Sequence, residues 1–128
     1  MPAAAPPAKR RTSAAPEPLD RKTVTRIARG TLGLDGRLDL HGLTQDEAHR
    51  ILQLFLTEAQ QNGGRMVLVI TGKGGGGPDD RGVLRRSVPH WLSSPRFRGL
   101  VSGFDQAHRS HGGSGALYVR VKRARTGS

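Results

Sequence analysis

"RLDLHGLTQDEAHRILQLFLTEAQQNGGRMVLVI", residues 37–70, decides the fold. Leu38 and Leu40 alternate with Asp39 and His41, the period of a short strand with one buried face. Thr44 followed three positions on by Glu47 makes a capping box. Ala48, Ile51, Leu52, Phe55 and Ala59 then recur at helical spacing, so a helix with a buried stripe starts here. Asn62, Gly63 and Gly64 stop it. Residues 65–70 are β-rich and continuously apolar, which suits a central strand covered on both faces. A strand, a helix and a strand in this order imply a crossover and parallel pairing.

Working towards the C-terminus, "TGKGGGGPDD" (71–80) reads as a flexible loop, with Asp79 or Asp80 able to cap a second helix. That helix, over 81–92, turns Val83 or Leu84, Val88, Trp91 and Leu92 inward, and Pro89 is expected to kink or split it. Residues 100–105 read as a third strand weakened by Gly103, and 107–115 as a loop. In 116–123 the alternation places Leu117, Val119 and Val121 in the core and Tyr118, Arg120 and Lys122 in water. The order is βαβαββ. The expected fold is α/β, a two-layer sandwich of a four-stranded mixed sheet and two helices, with one sheet face partly open. The loops after Leu40 and Ile70 then share one edge, where open α/β sheets bind ligands.

Residues 1–18 are Ala/Pro-rich and too poor in large apolar groups to fold. Residues 19–33 suit a short helix, a docking arm or a plain linker. The expected organisation is a disordered basic tail and linker over 1–33, one domain over 34–124, and a flexible C-terminus over 125–128. No cysteine is present, which rules out disulfides and thiolate metal sites. No apolar run approaches a membrane span, and no secretory leader is visible. An organelle transit peptide stays open because the first residues contain Arg and lack acids. A cytoplasmic monomer is expected.

The formal net charge is +11 and the isoelectric point near 11.6. Residues 1–30 hold seven bases and two acids, 31–64 two bases and five acids, and 65–128 twelve bases and three acids. Basic ends flanking a mildly acidic middle form the footprint of a polyanion binder, most often of nucleic acid. Three polar, glycine-marked segments follow or separate the strands: "DLHG" (39–42), "TGKG" (71–74) and "HRSHGGSGA" (108–116). Asp39 and His41 lie on one side of one strand, where a carboxylate can fix an imidazole's tautomer and the imidazole can move protons. The run at 71–77 is not a P-loop, because Gly74 rather than a hydroxyl residue follows Lys73. Its bare backbone still lets a phosphate approach N–H groups, with Lys73 supplying charge. His111 with Gly112 and Gly113 suits a phosphate loop. Tyr118, Arg120 and Lys122 suit base stacking between cations, and Arg85 extends the basic patch beside the glycine loop. Each segment alone also suits an ordinary strand end or connection; their convergence is the signal.

With "LDLHGLT", "TGKG" and "HGGSGALYV" in this order, the chain resembles the Smr (small MutS-related) domain family over about residues 37–123. The resemblance implies a sandwich similar to the C-terminal domain of translation initiation factor three. It also implies binding of branched DNA or RNA, and in several members endonuclease or nickase activity, with links to DNA repair, recombination and ribosome quality control. Carried over by position, Asp39, His41 and Gly42 match the motif implicated in cleavage; Thr71, Gly72, Lys73 and Gly74 match the second, and His111, Gly112, Gly113 and Gly115 the third. The glycine run to Gly77 departs from the family pattern, and the chain looks like a stand-alone Smr protein.

The leading expectation is a phosphodiester endonuclease acting on structured DNA or RNA. His41 is its base or acid and Asp39 its orienting carboxylate. Lys73 and the glycine amides stabilise phosphate charge, and His111 protonates the leaving oxygen or anchors a phosphate. A divalent cation, magnesium or manganese, is left open as cofactor, with Asp39 helping to hold it. The alternative is a non-catalytic module that recognises branched DNA or ribosome-associated RNA; a protein-interaction adaptor is the third.

Overall fold

The computed structural model describes residues 15–73 and 82–124. The expectations for the first fourteen residues, for Gly74, Asp79 and Asp80, and for residues 125–128 lie outside the described residues. The described elements are α1 (Arg21–Ala28), β1 (Gly36–Asp39), α2 (Gln45–Gln61), β2 (Met66–Ile70), α3 (Val83–Leu92), β3 (Val101–Gln106) and β4 (Ala116–Val121), with short 3-10 turns before and after β3. None of these helices is long and apolar enough to cross a membrane.

The four strands form one mixed sheet in the order β1-β2-β4-β3. β1 and β2 pair in parallel, with Asp39 opposite Ile70. β4 runs antiparallel to both neighbours, with Ala116 opposite Ile70 and Leu117 opposite Gln106. β1, β2 and β3 therefore run the same way. Their carboxyl ends and the start of β4 meet at one edge, called the rim below.

The capping box forms as expected: the Thr44 hydroxyl accepts from the Glu47 backbone, and the Glu47 carboxylate accepts from Thr44 N. α2 buries Ala48, Leu52 and Leu56, and α3 buries Leu84, Val88 and Leu92, all against Val67, Val69, Val119 and Val121 of the sheet. α3 is one continuous helix through Pro89, so of the kink or split expected there the split does not occur. Proline's missing N–H removes one bond to the Arg85 carbonyl and leaves the rest of the helix ladder to hold α3 together.

The main departure is on the second sheet face, which α1 covers. Asp20 caps this helix by accepting from Thr23 N at 2.7 Å. Leu19 and Ile27 pack with Met66, Leu68, Ala107, Ala116 and Tyr118. The segment read as tail and linker thus carries a third helix that closes the face expected to be partly open. The reason lies in β2, whose Met66, Val67, Leu68 and Val69 are all at most 4% exposed. An apolar strand of this kind needs cover on both sides. Glu17 adds a bridge at the β3 edge, accepting from Phe104 N at 3.1 Å. A Cβ at Gly103 would come within 2.6 Å of the Glu17 carbonyl, so the glycine makes this approach possible.

Candidate nucleic-acid interface

At the end of β1 the ladder extends one residue: Leu40 N donates to Ile70 O at 2.8 Å, with the Leu40 side chain fully buried. The chain then turns through Gly42 into the α2 cap, with Leu43 N donating to Leu40 O. Asp39 and His41 point away from the core, their side chains 46% and 68% exposed. One carboxylate oxygen of Asp39 accepts both the His41 backbone N–H at 3.0 Å and the ring Nδ1 at 2.7 Å. A carboxylate only accepts, so the ring carries its proton on Nδ1 and its basic lone pair on Nε2. Burial raises the Asp39 carboxyl. The bonds from the His41 ring and backbone, with the charges of His41 and Arg37, outweigh that and hold it below its ordinary value.

The second segment is clamped to the third by a single carbonyl. Gly115 O accepts from Thr71 N at 2.8 Å, Gly72 N at 3.0 Å and the Thr71 hydroxyl at 3.2 Å. Thr71 is buried by this arrangement, while Lys73 stays exposed. Gly72 has φ +80°, and a Cβ there would lie 3.2 Å from the His41 Cβ, so this glycine brings the first two segments into contact. A Cβ at Gly115 would meet the Lys73 Cγ at 3.0 Å and Gly72 carbonyl carbon at 3.1 Å. The third segment winds through two 3-10 turns, Arg109–His111 and Gly113–Gly115, joined at Gly112 (φ +116°). The His111 ring packs edge-on to Tyr118, and its Nδ1 lies 2.6 Å from the Tyr118 hydroxyl.

Asp39, His41, Gly42, Thr71, Gly72, Lys73, His111, Gly112, Gly113 and Gly115 therefore assemble at one rim. The C-terminal strand does not behave as expected. Tyr118 is fully buried under α1 and cannot stack on a base. Its hydroxyl instead accepts from His108 N and meets His111. Burial pushes the phenol up, against the opposing hydrogen bond from His108. Arg120 is exposed but pairs with Met66, at the far end of β4 from Ala116, about 13 Å along the strand. Lys122 lies beyond it, its backbone N bonded to Leu100 O. Arg85 is exposed in the first turn of α3, and the connection relating it to Lys73 lies outside the described residues. Among the described residues no three His, Asp or Glu side chains group as metal ligands. Sequence reasoning missed the role of Tyr118. The signal was the apolar set Leu19, Val24, Ile27, Leu32 and Leu34, which marks a segment able to cover that strand face.

Comparison with known proteins gives a consistent picture. The Smr domain family matches residues 38–122. The ribosome rescue factor SmrB of Yersinia enterocolitica is 32% identical over 104 residues, covering 81% of this chain and 54% of that protein. SmrB of Photobacterium profundum is 33% identical over 98 residues, covering 77% and 51%. The chain spans about half the length of these curated relatives. Among solved structures, YdaL, a stand-alone small MutS-related protein from Escherichia coli, superposes with TM-score 0.65 at 28% identity, over 85% of this chain and 81% of that one. The Smr domain of Thermus thermophilus MutS2 superposes with TM-score 0.58 at 30% identity, over 68% and 98%.

Proposed function

The chain belongs to the Smr domain family, and on that premise we propose that it is a nucleic-acid-binding module whose rim engages ribosome-associated RNA. The observation that carries the reading is the meeting of three distant segments at the rim, through the Gly72–His41 contact and the Gly115 clamp. They set Lys73 and two imidazoles around bare backbone, on a chain of net charge +11. Backbone N–H groups and one lysine suit a phosphate oxygen. The choice of RNA over branched DNA is supported by the relatives named ribosome rescue factors.

The Asp39–His41 pair favours a second reading, in which the same rim cleaves the phosphodiester it holds. Nε2 of His41 would take the proton of the attacking oxygen while Asp39 holds the ring. Lys73 would offset the charge growing on phosphate as the new P–O bond forms and the old one breaks, and the leaving oxygen would take its proton from water.

The test titrates labelled RNA and branched DNA of equal length over a range of salt, and then follows turnover. RNA should bind more tightly, with affinity falling steeply with salt. Lys73→Ala should weaken binding about 3- to 10-fold and reduce the salt slope by about one. Flat salt dependence, or no preference for RNA, would sink the reading. For the cleavage step, His41→Ala should abolish turnover with affinity changed less than about twofold; turnover surviving the change would exclude His41 as the base.

A further inference from the structure

Two imidazoles stand at the rim with partners of different kinds. His41 meets a carboxylate, which can only accept a hydrogen bond. His111 meets a phenol, which can both donate and accept. We propose that Tyr118 is a positioning residue that locks His111 as its Nε2–H tautomer, so that this imidazole offers a hydrogen-bond donor to an RNA phosphate oxygen.

Tyr118 is fully buried, in a cluster with Ile27, Met66 and Leu68. Its oxygen accepts from His108 N at 3.3 Å. The remaining requirement is an acceptor for its own O–H, because a buried hydroxyl donor left without one is costly. Nδ1 of His111, at 2.6 Å, supplies it. Burial raises the phenol and so keeps that proton in place to be donated. A neutral imidazole that accepts at Nδ1 carries its hydrogen on Nε2. The reverse arrangement, with Nδ1–H donating to the phenol, would aim two donors at one oxygen and leave the buried phenol's own hydrogen without His111 as its acceptor. The edge-on packing of the rings, 5.6 Å apart at 74°, holds the pair in one orientation. Gly115, which ends the same loop, clamps it to Thr71 and Gly72, so the donor belongs to the rim that carries Lys73. The His41 and His111 rings are thus set in opposite senses by their partners. In this setting His111 acts as a phosphate anchor.

The use of this donor rests on the reading of the rim as a phosphate interface; the tautomer does not. Long-range proton–nitrogen spectra of the full chain with labelled histidine rings, at mildly alkaline pH where an ordinary imidazole is neutral, read the tautomer directly. The expected result is an Nε2–H pattern for His111 that becomes a mixture in Tyr118→Phe. An Nδ1–H pattern in the wild type, or a Tyr118→Phe protein with an unchanged pattern, overturns the assignment. Affinity for a labelled single-stranded RNA reads the function. Tyr118→Phe and His111→Ala should each weaken it about 3- to 10-fold, with little further loss when combined. His111→Gln, which keeps an N–H donor near the Nε2 position, should retain most of the affinity. A His111→Gln protein as weak as His111→Ala overturns the anchoring role. If Tyr118→Phe fails to fold, the wild-type spectrum and the His111 pair decide. If the wild type binds no RNA, the proposed function fails, while the spectrum still decides the tautomer.

Discussion

Asp39 works through position rather than through charge alone. One of its oxygens holds both the backbone and the ring of His41. In Asp39→Asn the side chain can turn an N–H towards Nδ1, which moves the ring proton to Nε2 and removes the basic lone pair from the rim. If the rim cleaves RNA, single-turnover cleavage should fall about 10²–10⁴-fold with RNA affinity changed less than about twofold; wild-type rates would show that the tautomer is irrelevant. The same pair sets a pH dependence. The carboxyl lies below its ordinary 3.8 in the folded chain, so its stabilisation is present above that value and is lost as pH falls through the folded one. Denaturant midpoints should show wild type ahead of Asp39→Asn near about pH 6, with the gap closing as the pH is lowered below 3.8 through the folded value. An advantage that persists in acid would mean the carboxylate is not what stabilises the turn. At this scale the placing of Asp39, His41, Lys73 and His111 at one edge was legible, because a crossover between parallel strands puts the carboxyl ends of β1 and β2 together. Tyr118 was not. Alternation places it opposite Leu117 and Val119, but cannot say whether that side meets water or a helix.

Among the elements, α2 and β2 could be read directly, the one from its cap and apolar stripe, the other from its unbroken apolar run. α3 was harder, since a proline rule applied to ten residues overstates what one missing hydrogen bond does to the continuity of a helix. α1 was open in the sequence as a short helix, a docking arm or a linker, and its packing on the sheet was hidden by composition: Leu19, Val24 and Ile27 are diluted among Arg, Lys and Thr. The connections carry the rim, and none of the clamp could be read from the sequence, because Gly115 and Thr71 are 44 positions apart. Gly115→Ala tests it. The added Cβ would lie about 3 Å from the Lys73 side chain and the Gly72 backbone, and backbone cannot yield cheaply. A loss of about 1–3 kcal/mol in stability is expected, together with weaker RNA binding than in Lys73→Ala. If Gly115→Ala keeps full affinity, the two loops need not be locked for binding.

For the whole molecule, the second sheet face matters as much as the rim. α1 turns Arg21, Lys22, Arg26 and Arg29 outward while Ile27 goes under the sheet, so basic charge sits on the face opposite α2 and α3. The cluster that receives Ile27 also contains Tyr118, whose hydroxyl reaches His111. Packing at α1 and geometry at the rim are therefore joined through one tyrosine. Ile27→Ala should cost about 2–4 kcal/mol. Leu54→Ala, at a residue 62% exposed on α2, should stay within about 0.5 kcal/mol. Hydrogen exchange separates a local loosening from a general one. In Ile27→Ala the amides of His108, His111 and Gly113 should lose protection well before those of β2, whose other face stays packed on α2 and α3. Equal loss in both places would mean that α1 stabilises the sheet as a whole and has no particular hold on the His111 loop.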